Sequence, residues 1–225
     1  MTIARFRQMT AAVLVFGLSL PGIISTQASA QRLGAYSNYV FGGAPNDLFG
    51  AVALPAPLGR YQEQWERARQ SAVANPRLQA LIAPAHTLSR QQQIAFVQAA
   101  VHKKIGWISD ATEWGRHDYW ASASETLAHG AGDMEDRDIV KMQALIALGF
   151  NPDDLFLTLG RDKVGGPMSM LVIRVAPERY VTLDDLGGAP VFAERRDGFK
   201  PTMSVSTRGS WIHGYRVASR AGAGN

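Results

Sequence analysis

Cysteine is absent from all 225 residues. That excludes disulfides and leaves stability to packing. It also removes the side chain that most readily becomes a thiolate nucleophile. An excess of one charge is lacking too. Residues 1–30 hold two arginines and no acid, which leaves 21 basic and 19 acidic residues downstream and a net charge of +2. No basic tract or aromatic-interleaved basic stripe occurs, and Lys103-Lys104 and Arg195-Arg196 are isolated pairs expected to be solvated. No nucleic-acid partner is therefore expected. His86, His102, His117, His129 and His213 include no two that are one helical turn apart, so zinc has no support.

Long apolar runs are also missing. Arg5 and Arg7, the apolar Ala11–Leu20 and the small-x-small Ala28-Ser29-Ala30 predict a secretory signal peptide over 1–30, cut before Gln31. Its apolar run is shorter than the roughly 20 residues that span a bilayer. A periplasmic or secreted protein is expected, with no membrane span after signal removal.

What remains reads as one domain. Residues 31–57, rich in Gly, Pro, Ala and Asn, predict an extended or loop-rich arm. From Leu58 the period is helical: Tyr61, Trp65, Ala68 and Ala72 share a face, and Asn75-Pro76 is expected to stop the run. Ser89-x-x-Gln92 fits a capping box ahead of a second helix, whose face is Ile94, Val97, Val101 and Ile105. An aromatic, turn-rich segment follows to Gly132. A third helix then opens on Asp133 as N-cap, with Glu135 and Asp136 in the first turn, where the helix dipole favours negative charge. Ile139, Met142 and Ile146 form its buried stripe, and Gly149 with Asn151-Pro152 ends it. Beyond it the period changes to that of strands: Leu155–Leu159, Met168–Val175, Tyr180–Leu183 and Val191–Ala193, with a hairpin turn at Pro177-Glu178. Helices followed by an antiparallel sheet predict an α+β domain over 58–217 and a disordered tail over 218–225.

The most specific run is the central one. Trp114-Gly115, Asp118-Tyr119-Trp120, Glu125-Thr126-Leu127 and Gly132-Asp133-Met134-Glu135-Asp136 stand in order before a helix. With LFGAVALPAPLGRYQEQW before it, and MSMLVIRV, LDDL and SWIHGY after it, this pattern resembles the bacterial transglutaminase-like cysteine peptidases. Characterised members of that family are periplasmic, calcium-dependent proteases that clip surface adhesins. The resemblance implies a papain-like, transglutaminase-type fold with N-terminal helices packed on a C-terminal antiparallel sheet. It also implies a catalytic cysteine, histidine and aspartate. Here the cysteine position is Met134, the histidine position is Met168, and only the aspartate persists, as Asp184.

Acyl transfer needs a nucleophile and a base within hydrogen-bond reach. Two thioethers supply neither, so hydrolysis by the family's route is not expected and the triad positions are read as degenerate. The resemblance assigns Asp133 and Glu135 to a calcium ion. Calcium takes six to eight oxygens, so carbonyls, waters or further acids are needed, and Asp136, close in sequence, and the more distant Asp118 are candidates. The same acids also serve simply as an N-cap and first-turn dipole partners. Trp114, Asp118, Tyr119 and Trp120 are candidates for a recognition groove, and the aromatics equally for the core beneath the helix. Two functions follow from different classes. One is a pseudoenzyme that binds an envelope or surface protein, such as an adhesin, or a periplasmic receptor. The other is a hydrolase or transferase working through carboxylates such as Glu125, Asp133, Glu135 and Asp184, with or without a metal.

Overall fold

The α+β order is observed in the computed structural model, which describes residue 45 and residues 48–215. The expected signal peptide, the tail and most of the arm lie outside those residues. The end of the arm is extended, the first of the two expected forms. Strand β1 (Val52–Pro55) pairs antiparallel with the last strand of the chain.

Helix α1 (Gln62–Ala68) buries Trp65 and Ala68 and ends well before Asn75. Asn75-Pro76, expected as a stop, instead starts α2 (Pro76–Ile82), which the sequence did not disclose. Asn75 Oδ1 accepts the N–H groups of Arg77 and Leu78 at 2.9 and 3.3 Å. Proline cannot continue a helix, but at the first helical position it has no N–H to lose. Helix α3 (Arg90–Lys104) carries the expected cap: Gln92 Oε1 accepts from the Ser89 N–H at 3.0 Å and lies 2.8 Å from its Oγ. Its face of Ile94, Val97 and Val101 is fully buried, as is Ile105 just beyond it.

The aromatic segment is more regular than its composition suggests. It holds β2 (Gly106–Trp107), α4 (Asp110–Glu113), α5 (Ala123–His129) and β3 (Ala131–Gly132). Strands β2 and β3 form a short parallel pair. The Gly106 and Ile108 N–H groups donate to Gly130 and Gly132 carbonyls at 2.8 and 3.3 Å, which lays the start of α4 beside the entrance to α6 (Met134–Ala147). A second capping box starts α5, where Glu125 Oε2 accepts from the Ser122 N–H at 2.7 Å.

The sheet comprises β4 (Leu155–Arg161), β5 (Pro167–Ala176), β6 (Arg179–Asp184), β7 (Val191–Phe192), β8 (Lys200–Ser206) and β9 (Gly209–Gly214) together with β1. Its order is β1-β9-β8-β4-β5-β6-β7, antiparallel throughout. The turn at Pro177-Glu178 is where expected, with Glu178 at φ 54°. Strand alternation divides the core. Leu155, Leu157, Leu171, Ile173, Val181 and Leu183 join the helices in one cluster. Phe156, Met170, Val172 and Tyr180 face the other way, under Leu48, Phe199 and Trp211. Helix α6 lies between α3 and the middle of the sheet, with Ile139, Val140, Ala144 and Leu145 fully buried. Among the described residues no helix is long and apolar enough to cross a membrane.

Candidate functional site

The site forms where the N-terminus of α6 meets the start of β5. Asp133 caps the helix, and its Oδ1 accepts the N–H groups of Glu135 and Asp136 at 3.1 and 3.4 Å. The next residue, Met134, turns its sulfur to the sheet and accepts the Ser169 N–H at 3.3 Å. Met168 precedes Ser169 on β5, so the two methionines meet at one strand end. Both border two cavities of about 420 and 470 Å³, and Pro167 is in both walls as well. The groove therefore runs past the pair on either side.

Asp184 lies at the end of β6, opposite Met170. Directly opposed residues share a face, and residues two apart on a strand do too, so Asp184 is on the face of Met168. Its Oδ1 accepts the Leu186 N–H at 2.9 Å, and its Oδ2 forms an ion pair with Arg196. Arg196, expected to be solvated, is a paired and largely buried part of the site. Behind Asp184, its carbonyl accepts Lys141 Nζ at 2.7 Å and Gln98 Nε2 at 2.9 Å. Ser169 points away from Met168, as alternation requires, and donates from Oγ to Asp138 Oδ2 at 2.8 Å.

One wall of the 420 Å³ cavity is acidic, with Asp110, Asp118, Asp133 and Glu135 in it. Asp110, Asp133 and Asp136 each place one carboxylate oxygen within 4.8 Å of the others. Asp110 Oδ2 accepts the Tyr119 N–H at 2.6 Å and Asp136 Oδ1 the Ala121 N–H at 2.7 Å, which fixes both carboxylates. Their other oxygens, Asp110 Oδ1 and Asp136 Oδ2, are buried with no hydrogen-bond partner in the protein. Burial, reinforced by the Asp110 charge, raises the Asp133 carboxyl to about 7. Burial and the Asp133 charge raise Asp136 to about 8. Glu135 is held well above its ordinary range, first by burial and then by Asp133. Gly132 makes this packing possible: a Cβ there would stand 2.7 Å from Asp136 Cβ and 2.8 Å from its Oδ2.

Fixed carboxylates with orphaned oxygens fit a hard divalent cation, which takes six to eight oxygens in the case of calcium. Asp110, Asp133 and Asp136 would hold it, with Glu135 beside Asp133 in the same wall. Of the expected donors, Asp133 and Asp136 belong to the trio and Glu135 stands beside it. Asp118 is exposed on the groove wall. Asp110 was not a candidate, because only the β2–β3 pairing places it next to Asp133.

The candidate groove residues divide. Asp118 and Trp120 line the cavity, and Trp120, 1% exposed, also stacks on Tyr61 at 5.3 Å and belongs to the core. Trp114 and Tyr119 pack on each other at 4.8 Å away from the groove walls. The Tyr119 hydroxyl donates to Glu125 Oε1 at 3.1 Å, so Glu125 serves the α5 cap rather than the acidic trio. His129 pairs with Glu113 at 3.0 Å, remote from both methionines.

A capped helix whose first residue faces the end of an antiparallel strand is the framework of the transglutaminase-like scaffold. The chain belongs to the bacterial transglutaminase-like cysteine proteinase family (BTLCP), whose profile matches residues 56–191, more than half of it. Solved structures agree. Calcium-bound LapG of Legionella pneumophila is 23% identical with a TM-score of 0.55, over 70% of this chain and 88% of that one. The EGTA-treated form is 24% identical with a TM-score of 0.54, over 71% and 87%. At this identity the likeness is one of fold. Among curated proteins no relative matches.

Proposed function

We propose that this chain is a non-hydrolysing member of its family, a periplasmic binding protein built on a cysteine-peptidase scaffold. One observation carries the reading: both residues that border the groove at the nucleophile and base positions, Met134 and Met168, are thioethers in a chain without cysteine. Neither can become a thiolate or take the proton from a thiol. Unbranched, polarisable side chains there make an adaptable apolar contact surface instead. The partner is an envelope or surface protein, such as an adhesin, or a periplasmic receptor, held along the groove between the acidic wall and the start of β5.

Calcium is the proposed cofactor, bound by Asp110, Asp133 and Asp136. When bound it neutralises a wall that otherwise repels itself. The likeness to LapG, solved both calcium-bound and EGTA-treated, supports this assignment. A second reading, hydrolysis through carboxylates, is favoured only by the raised Asp133 and Asp136 in the groove wall, a place where acid–base groups are often tuned.

The test immobilises residues 31–225 and passes over them the envelope proteins of the same cell, with calcium or with chelator. Retention of one intact protein, dependent on calcium and lost in Asp133→Ala, is the expected result. Recovery of that protein as defined fragments would establish the second reading.

A further inference from the structure

Arg196 follows the short turn Ala193–Arg195 behind β7. Its Nη1 pairs with Asp184 Oδ2, and its Nη2 lies 3.9 Å from Met168 Sδ. One guanidinium thus spans the positions that the family resemblance would fill with a base and its orienting acid. Its side chain is only 19% exposed, so water screens the pair weakly.

We propose that Arg196 is a third inactivating residue, equal in consequence to the two methionines, because it keeps Asp184 from orienting any group at position 168. The inference rests on reading Met134 and Met168 as the degenerate nucleophile and base positions. A histidine base needs an acceptor for its second ring N–H, which sets the tautomer and steadies the imidazolium. Both oxygens of Asp184 are already engaged, Oδ1 by the Leu186 N–H and Oδ2 by Arg196. The main chain of Asp184 is held as well, since Lys141 and Gln98 both donate to its carbonyl. A guanidinium against position 168 would also oppose protonation of an imidazole there, as a like charge does. Restoring the thiol and the imidazole by Met134→Cys and Met168→His therefore leaves the base without its partner.

The experiment reads the ring directly. Met168→His is compared with Met168→His/Arg196→Gln and with Met168→His/Arg196→Gln/Asp184→Asn. The added imidazole signal, absent from the parent with its five histidines, is titrated by NMR, and signal dispersion confirms each fold. The first variant is expected to titrate below the ordinary value of about 6.5. The second is expected to rise by at least about one unit, a tenfold change in proton affinity. The third is expected to lose that rise. Arg196→Lys in place of Gln, which keeps the cation, is expected to keep the low value. If Arg196→Gln leaves the titration unmoved while Asp184→Asn lowers it, Arg196 is not the obstacle and the proposal falls, with the site reading intact. If neither change moves it, position 168 does not face Asp184 and both fall.

Discussion

Helix α6 carries buried acids in two kinds of company. In its first turn, Asp133, Glu135 and Asp136 stand with Asp110, and none of the four forms an ion pair among the described residues. One turn on, every charge is matched. Asp138, fully buried, takes Lys141 Nζ at 2.9 Å and Ser169 Oγ at 2.8 Å, and Arg137 pairs with Asp185 at 2.6 Å. Burial raises Asp138 to about 6, and Lys141 and Ser169 limit the rise. The difference separates structure from function. A buried charge needs a partner, because desolvation otherwise exceeds what the fold can offset. The second turn finds its partner within the chain. The first turn has no cationic partner among the described residues, and burial raises its carboxyls instead.

The largest effect should come from breaking the matched turn. Lys141→Met leaves Asp138 buried without its counter-ion, with only the Ser169 hydroxyl beside it, and is expected to lower stability by about 3–5 kcal/mol. Denaturant unfolding checks this, and Asp138→Asn in the same chain should return most of the loss.

Next comes the unmatched turn. Calcium at a hundred times its Kd should add about 2.7 kcal/mol to the folded state, read as a rise in Tm by calorimetry. Asp136→Asn should abolish the rise. Gly132→Ala should abolish it too, since the added Cβ displaces the Asp136 carboxylate, and should itself destabilise by about 1–3 kcal/mol through overpacking.

A third effect is the pH slope of the metal-free protein. Asp133 and Asp136 hold protons in the folded state up to about 7 and about 8, whereas unfolded they titrate near 3.8. The folded form binds more protons between those limits, so their stabilisation is full below about pH 4 and is lost as pH rises toward 8. His213 has the opposite sign: burial lowers it to about 4, so its contribution is present above pH 6.5 and lost as pH falls toward 4. Between pH 6.5 and 8 His213 no longer opposes the acids. There, in chelator, stability should fall by up to roughly 1.4 kcal/mol per pH unit for each proton, and Asp136→Asn should flatten the slope. Calcium, which competes with those protons, should flatten it as well.

The smallest effect is the control. Glu66 and Arg69 pair at 2.6 Å, but both side chains are about half exposed. Arg69→Ala should therefore change stability by under about 1 kcal/mol, in contrast to Lys141.

Some of this was legible without coordinates. The α6 cap, its stripe, the Ser89 box and the turn at Pro177-Glu178 are local patterns, set by neighbours within a few residues. Strand β1 was read only as part of an extended or loop-rich arm, and β8 and β9 went unread, because short strands without clean alternation are known by their partners, and β1 pairs with the far end of the chain. Asn75-Pro76 was assigned to the wrong end of a helix because the dipeptide suits both.

The same division holds at the site. Sequence alone determined that no thiol exists, that Met134 opens a capped helix and that Met168 opens a strand, since composition and periodicity are properties of the chain. Only the tertiary structure decided that Asp110 joins Asp133 and Asp136, and that Arg196 rather than solvent meets Asp184. Those encounters join residues from separate elements. No spacing in the sequence encodes them, because the β2–β3 pairing and the packing of the turn after β7 create them.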